Sequence, residues 1–309
     1  MTMISIGIPI FMGVELMQLS EALSLFMFEQ RVKNNSPATI EYYDYFLKEF
    51  IDWININTVE ELDISHYKDY ILYLADTGIK STSINTKMRA VKAFYNYLID
   101  AEQIGDCSRK LRLVKQSRQE IIPLSDDEIY ILLNSFDLAD TLELRNKCIV
   151  MVMLDSGLRR SEVTRLRLSD IDLRNKRILV NGKGSKQRIV PMGDTTSEVF
   201  GLYLERQSSR LDKKSSPLFA DRCGNLLEAN AIDKIFEKLK QITGIDRLHP
   251  HLLRHTFATL YIVDGGDLET LRILLGHSSI AITQIYLHLA TNYKLLQDRH
   301  NSHIDKLHK

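Results

Sequence analysis

The sequence predicts a mainly α protein of two domains, the second carrying one small β-hairpin. Three observations predict it. Apolar residues recur at helical spacing in both halves. Two short strand-like runs, Arg177–Val180 and Gln187–Pro191, flank a glycine-rich turn at Gly182–Lys186. A basic stretch of weak periodicity, ending at Pro123, separates the halves. A chain of 309 residues has room for two ordinary domains.

In the first half, Leu19, Leu23, Phe26 and Met27 set a first helix ending near Asn35. Ser36-Pro37-Ala38-Thr39 opens a second, because proline is tolerated in a first helical turn. Ile40, Tyr43, Phe46, Leu47, Phe50 and Ile51 mark its apolar side. Ser65 is expected to begin a third helix, which Gly78 ends. A fourth runs from Ser81 to Ile99 on Ile84, Met88, Val91, Phe94, Tyr95 and Leu98. Residues 18–105 thus read as a helical domain of roughly 90 residues. The other face of the fourth helix carries Ser81, Ser83, Asn85, Lys87, Arg89 and Lys92, with Lys80 just before it. Small polar and basic groups on one face suit contacts to phosphates and base edges. A solvated face is the rival reading.

Residues 106–123 are expected to be a basic linker containing Lys115 and Arg118. The second domain starts at Leu124, where Ser125 and Glu128 have the spacing of a capping box. Leu144 to Leu154 reads as a buried helix, broken at Asp155-Ser156-Gly157. Arg159 follows between apolar flanks, with a short helix from Ser161 to Leu166. The hairpin puts Lys183 near its tip, with Lys186 and Arg188 close by. Its Gly-Lys-Gly lacks the spacing of a phosphate-binding loop and does not open a helix. Ala229 to Ile242 is amphipathic. His251, Arg254 and His255 share one helix face at i, i+3 and i+4. Leu268 to Leu275 forms a helix stopped by Gly276, which leaves His277 just beyond it. Ile282 to Leu289 is helical and carries Tyr286. Residues 292–309 read as an exposed helix in search of a partner.

The bulk charge is zero, from 40 basic and 40 acidic residues, and argues mildly against nucleic-acid binding. The distribution argues for it: between Lys80 and Arg118 stand nine basic residues and three acids. Cys107, Cys148 and Cys223 are far apart, with no disulfide framework, which fits a reducing cytoplasm. Residues 1–17 are expected to be a disordered start. Their apolar part is too short to span a bilayer and lacks a basic lead-in, so no membrane role is indicated.

Two readings of the histidines compete. His251 and His255 at i, i+4 could bind a metal, with His249 or His277 added. The H-E-x-x-H pattern is missing its glutamate, because Leu252 stands there. The other reading is a phosphate site. Arg159 and Arg254 could each give two parallel hydrogen bonds to phosphate oxygens. His251 and His277 could bind the same phosphate or move protons. Tyr286 offers a phenol whose pKa of ~10 a cationic pocket would lower.

SGLRRSEV (Ser156 to Val163), GKGSKQR (Gly182 to Arg188), HLLRH (His251 to His255), LGHSS (Leu275 to Ser279) and TQIY (Thr283 to Tyr286) occur in an order and spacing similar to those of the tyrosine recombinases, the phage integrase family. The resemblance covers Leu124 onward well. The first domain resembles, more loosely, the family's SAM-like core-DNA-binding domain, and the overall layout is closest to Xer-type members. The resemblance implies that Arg159, Lys183, His251, Arg254 and His277 are catalytic and Tyr286 is the nucleophile. Glu162 matches a supporting acidic position. Arg160 departs from many relatives, which carry an apolar or small residue there.

The mechanism so implied is transesterification through a covalent 3′-phosphotyrosyl link, which stores the bond energy and needs no ATP. Lys183 would protonate the leaving oxygen and His251 would serve Tyr286 as acid/base partner. Metal and cofactor are not required, because arginines neutralise the phosphate. Contacts to DNA are expected from Lys80, Ser81, Ser83, Asn85, Lys87, Arg89, Lys92, Lys115, Arg118, Lys186 and Arg188. The partner is double-stranded DNA with a specific recombination site, gripped in a C-shaped clamp of the two domains. Assembly is expected as a tetramer on two sites, or with a paired related recombinase, residues 292–309 docking on a neighbour. The task is integration or excision of a mobile element, or dimer resolution. A strand cutter of topoisomerase type and a non-catalytic DNA-binding regulator are the alternatives.

Overall fold

The computed structural model describes residues 16–116, 121–182, 187–208, 215–221 and 223–297. Arg118, Lys183, Lys186, nearly all of the start at 1–17 and the end of the tail lie outside these residues. The chain forms two compact units, Met1–Gln119 and Glu120–Lys309.

Among its described residues the first unit has four α-helices: α1 (Leu19–Val32), α2 (Pro37–Ile54), α3 (Ile64–Asp76) and α4 (Ser81–Asp100). Ser36 caps α2, its hydroxyl accepting the Thr39 amide, with Pro37 in the first turn. The third helix begins earlier than the sequence suggests, because Asp63 is its cap. Asp63 Oδ1 accepts the Ser65 amide, and His66 Nδ1 accepts the Asp63 amide in return. Ser65 is thereby held inside the helix. An aromatic core of Phe26, Phe50, Tyr67, Tyr70, Phe94 and Tyr95 is fully buried, with Phe26 and Phe94 edge to face at 5.6 Å. Each such side chain contributes about 1.5–3 kcal/mol by leaving water. The chain after α4 stays on this core through buried Leu111.

The second unit is built around α6 (Thr141–Ser156), preceded by α5 (Asp126–Leu133). Ser125 and Glu128 form the expected capping box of α5. Nine residues of α6 are buried, so the helix is apolar around much of its girth and sits inside the unit. A single turn, α7 (Arg160–Val163), follows Gly157. The sheet is three antiparallel strands in the order β1 (Ile171–Asp172), β2 (Arg177–Asn181), β3 (Gln187–Pro191). Its register pairs Ile178 with Val190 and Val180 with Arg188.

Two elements go beyond the sequence reading. One is β1, which is only two residues long. The other is α8 (Asp194–Arg206), whose buried face is Thr196, Val199, Phe200 and Tyr203. A threonine pair and Gly201 dilute its apolar period, and packing on α6 supplies what propensity lacks. The rest is helical: α9 (Ala229–Thr243), α10 (Pro250–Val263), α11 (Leu268–Leu275), α12 (Ile280–Thr283) and α13 (Ile285–Gln297). The helix expected over Ile282 to Leu289 is therefore two, divided at Gln284. Helix α10 packs against both α6 and α13, which brings its polar face to the Tyr286 segment. Of the tail expected to be a docking segment, only residues 292–297 are described, as the end of α13.

Candidate active site

Two left-handed glycines shape the site. Gly157 (φ 63°) turns the chain out of α6, and a Cβ there would stand 2.4 Å from the Phe257 ring. Gly276 (φ 62°) ends α11. Only glycine adopts such angles at little cost. Both turns leave carbonyls aimed at one point. Arg254, 4% exposed, donates from Nη1 to the Gly157 carbonyl (2.7 Å) and from Nη2 to the Leu275 carbonyl (2.7 Å). Helix α10 presents Arg254 between the ends of α6 and α11, where these carbonyls satisfy part of its charge.

Arg159 caps α7 and lies half-exposed beside this point. Its amide donates to Glu162 Oε2 (2.8 Å), its Nη1 to Glu162 Oε1 (3.0 Å), and its Nη2 to the Gly276 carbonyl (3.4 Å). Glu162 is buried and also receives Arg188 through Nη1 (2.8 Å) and Nη2 (2.9 Å). Burial alone would raise the Glu162 carboxyl, but the Arg188 pair and then Arg159 hold it below the usual carboxylate value. Burial, and then Arg159, bring the Arg254 guanidinium down to about 10, so it stays charged at neutral pH.

His277 joins the cluster from the turn after α11. Its Nε2 lies 3.0 Å from Arg254 Nη2 and its Nδ1 lies 2.9 Å from the Thr283 hydroxyl. Arginine can only donate, so Nε2 is the acceptor and Nδ1 carries the proton toward Thr283. Burial, then Arg254, Arg159 and Arg188, lower His277 to about 4, which agrees with a neutral ring.

Tyr286 is 2% exposed, and its hydroxyl lies 3.0 Å from His255 Nδ1. Burial raises its pKa, and the opposing pull of Arg254 and Arg159 does not overcome it. The cationic surroundings expected to lower the phenol are present but outweighed. The imidazole within hydrogen-bond distance of the Tyr286 hydroxyl is that of His255, one residue beyond Arg254 on α10, rather than that of His251, the expected acid/base partner. The sequence offered a signal for it, the i+4 spacing from His251, which also fitted a metal. His251 keeps an exposed edge; packing around its ring, then Arg254, Arg160 and Arg159, hold its pKa below the ordinary imidazole value. His249 caps α10, its Nδ1 accepting the Leu252 amide at 3.1 Å. Arg160 pairs with Asp233 of α9, which separates its role from that of Arg159.

The structure thus gathers Arg159, Glu162, Arg254, His277 and Tyr286, adds His255 and Arg188, and sets His251 beside them. Arg188 is a correction: expected to contact DNA, it has a side chain 9% exposed and committed to Glu162 and to the Leu274 carbonyl, 2.6 Å from Nε. In the first unit, Lys80, Ser83, Arg89 and Lys115 are exposed, while Ser81 and Lys92 are half-buried. Asn85 is also a correction, because it is 3% exposed and its amide exchanges two 2.8 Å hydrogen bonds with the Val114 backbone. Buried and held in this way, the amide is not presented to a base. Lys87 is half-buried, paired with Glu49 and 5.8 Å from the centre of the Phe46 ring.

Residues 123–293 match the model of the phage integrase family, and residues 23–104 match that of the phage integrase N-terminal SAM-like domain. The chain is 33% identical over 268 residues to tyrosine recombinase XerC of Bacillus pumilus, covering 84% of this chain and 88% of the relative. It is 32% identical over 277 residues to tyrosine recombinase XerD of Halalkalibacterium halodurans, covering 86% and 92%. Among solved structures, XerA recombinase matches with a TM-score of 0.51 at 31% identity, covering 91% of this chain and 99% of that one. XerH bound to a palindromic difH substrate, in a post-cleavage complex, shares the fold with a TM-score of 0.70 at 22% identity, covering 88% and 82%.

Proposed function

The chain belongs to the phage integrase family, the tyrosine recombinases, and on that premise we propose that Tyr286 is its nucleophile and that Arg159 and Arg254 hold the scissile phosphate. It is a site-specific DNA recombinase that cuts and rejoins DNA. The observation that carries the assignment is the convergence on one point of Arg159, Arg254, His277 and Tyr286, from four segments of the chain.

In this reading the Tyr286 hydroxyl gives its proton to His255, 3.0 Å away, as its oxygen forms a bond to phosphorus, and the bond to the 5′-oxygen breaks. The 3′-phosphotyrosyl link conserves the bond, and attack by a 5′-hydroxyl restores the phosphodiester without ATP. Arg159 and Arg254 stabilise charge on the non-bridging oxygens from fixed positions, so little reorganisation is needed as charge develops. Glu162 orients Arg159, and His277 accepts from Arg254 and thereby orients it. Lys183 supplies the proton to the leaving oxygen. His251 contributes a further hydrogen bond to the phosphate.

The exposed Lys80, Ser83, Arg89 and Lys115 contact duplex DNA. The domain limits follow the same scheme: a start at 1–17, a DNA-binding domain at 18–105, a linker at 106–123 and a catalytic domain at 124–309. Four subunits, or pairs with a related recombinase, act on two sites, with residues 292–309 docking on a neighbour. No single described helix is long and apolar enough to cross a membrane, and a cytoplasmic location fits the chemistry.

The test uses a nicked suicide duplex whose sequence is selected from a random pool by binding to the Tyr286→Phe protein. Wild type traps a covalent protein–DNA adduct and Tyr286→Phe does not. An adduct that survives in Tyr286→Phe but disappears in Tyr293→Phe would move the nucleophile. No adduct from wild type would remove the catalytic reading.

A further inference from the structure

We infer that Arg188 is a positioning residue, which sets Arg159 against Arg254 by joining Glu162 to the end of α11. The inference rests on the reading in which those two arginines hold the scissile phosphate.

The three guanidinium nitrogens of Arg188 are all committed, and to two different elements. Nε donates to the Leu274 carbonyl at 2.6 Å, while Nη1 and Nη2 donate to Glu162 Oε1 and Oε2 at 2.8 and 2.9 Å. Each element then holds a site arginine. Glu162 takes the Arg159 amide and Nη1. The end of α11 takes Arg254 Nη2 on the Leu275 carbonyl and Arg159 Nη2 on the Gly276 carbonyl. Arg188 therefore closes a ring of contacts: Arg188 to Glu162, Glu162 to Arg159, Arg159 to Gly276, and back along the chain to Leu274. Arg254 bonds to Leu275 at the same end of α11, so the ring bears on the spacing between Arg159 and Arg254.

The packing around it leaves little slack. A Cβ on Gly276 would stand 3.2 Å from Arg188 Nη1, so the turn that ends α11 is fitted to this guanidinium. The side chain is 9% exposed and Glu162 is 7% exposed, so water does not screen the pair. Lysine offers a single ammonium rather than a planar fork, and it cannot bridge a carboxylate and a carbonyl in this geometry. The named bonds use three of the five N–H donors of Arg188, and at 9% exposure its side chain is withdrawn from the surface where a phosphate would sit. Its influence on the reaction is exerted through Arg159, and a displacement of about 1 Å at a reacting group can cost ~10²-fold in rate.

The experiment is single-turnover cleavage of the selected suicide duplex, at saturating DNA, by Arg188→Lys, Arg159→Ala and the double variant. Arg188→Lys is expected to cleave about ten- to a hundredfold more slowly than wild type, with DNA affinity within about twofold. Added to Arg159→Ala it is expected to slow cleavage less than about twofold further, because its effect passes through the residue already removed. Glu162→Gln keeps the shape of the buried group and is expected to show the same dependence on Arg159, which covers the case of an unfolded Arg188→Lys protein. Thermal melting checks folding for each. Wild-type cleavage by a folded Arg188→Lys protein, or losses that multiply in the double variant, would overturn the inference alone. Wild-type cleavage by Arg159→Ala would overturn the underlying reading as well.

Discussion

The Tyr286 hydroxyl and His255 Nδ1 lie 3.0 Å apart where α10 packs on α13. Burial, and then His251, Arg254 and His249, bring His255 down to about 4, so its ring is neutral at pH 7. A phenol is the better donor of the two, and a neutral Nδ1 has a lone pair to receive it. His255→Phe removes that acceptor while filling similar space. Adduct formation on the suicide duplex is expected to fall by about 10²-fold, the low end of what a positioned acid or base supplies. DNA affinity should not change. His255→Asn offers an acceptor that cannot take a proton, so wild-type cleavage by it would show that His255 only seats the tyrosine.

The same burial predicts a pH dependence of stability. His255 and His277 are both brought from 6.5 to about 4 in the folded chain. Between those values the unfolded chain binds protons that the folded chain does not, so stability rises with pH there and is lost as pH falls from about 6.5 to about 4. Partial exposure limits the slope to about 1 kcal/mol per pH unit for each ring, below the full 1.36. Urea titrations at pH 7 and pH 5 measure it. Replacing either histidine by glutamine should flatten the slope, and an unchanged slope in both variants would place the proton uptake elsewhere.

Asn85 and Arg89 stand on the same helix and were read from the sequence as equivalent DNA contacts. The structure separates them: Asn85 pins Val114, while Arg89 is exposed. Asn85→Ala should lower stability by about 1–3 kcal/mol by leaving the Val114 amide and carbonyl unpaired. Affinity for the selected duplex should be nearly unaffected. Arg89→Ala should leave stability alone, weaken DNA binding, and reduce the slope of log K against log salt by about 1. Weakened DNA binding by a folded Asn85→Ala protein would reverse the correction.

These cases show which parts of the chain are legible without coordinates. Ser36 and the Ser125/Glu128 pair announce helix starts, because their hydrogen bonds are local and the spacing alone specifies them. Gly157 and Gly276 announce turns for the same reason. Arg159, Arg254, His277 and Tyr286 stand out in the sequence because they sit in short ordered motifs. Asn85 was misread because its partner is 29 residues away, a relation that no helical period encodes. Arg188 was misread because Ile189 and Val190 are both apolar, so alternation left the buried face of β3 undecided. Val190 is buried and Ile189 is 57% exposed, and Arg188, two residues from Val190, shares the buried face.

Gly157 offers a test of how closely the fold and the site are joined. An L-residue in its left-handed conformation costs about 1–2 kcal/mol, and a Cβ there would stand 2.4 Å from Phe257, which must move. Gly244 is a control: it has φ 71° with nothing within 4 Å of a Cβ. Gly244→Ala should therefore lose only the backbone term, about 1–2 kcal/mol, and cleave DNA at the wild-type rate. Gly157→Ala should lose that amount plus about 1–3 kcal/mol of overpacking. Its carbonyl holds Arg254 Nη1 at 2.7 Å, so a shift of the turn also displaces the arginine. Cleavage by the folded fraction of Gly157→Ala should then fall about 10²-fold while DNA affinity holds. Equal stability losses in the two variants, measured by denaturant titration, would mean that the Phe257 contact is soft and that Arg254 is not anchored through this turn.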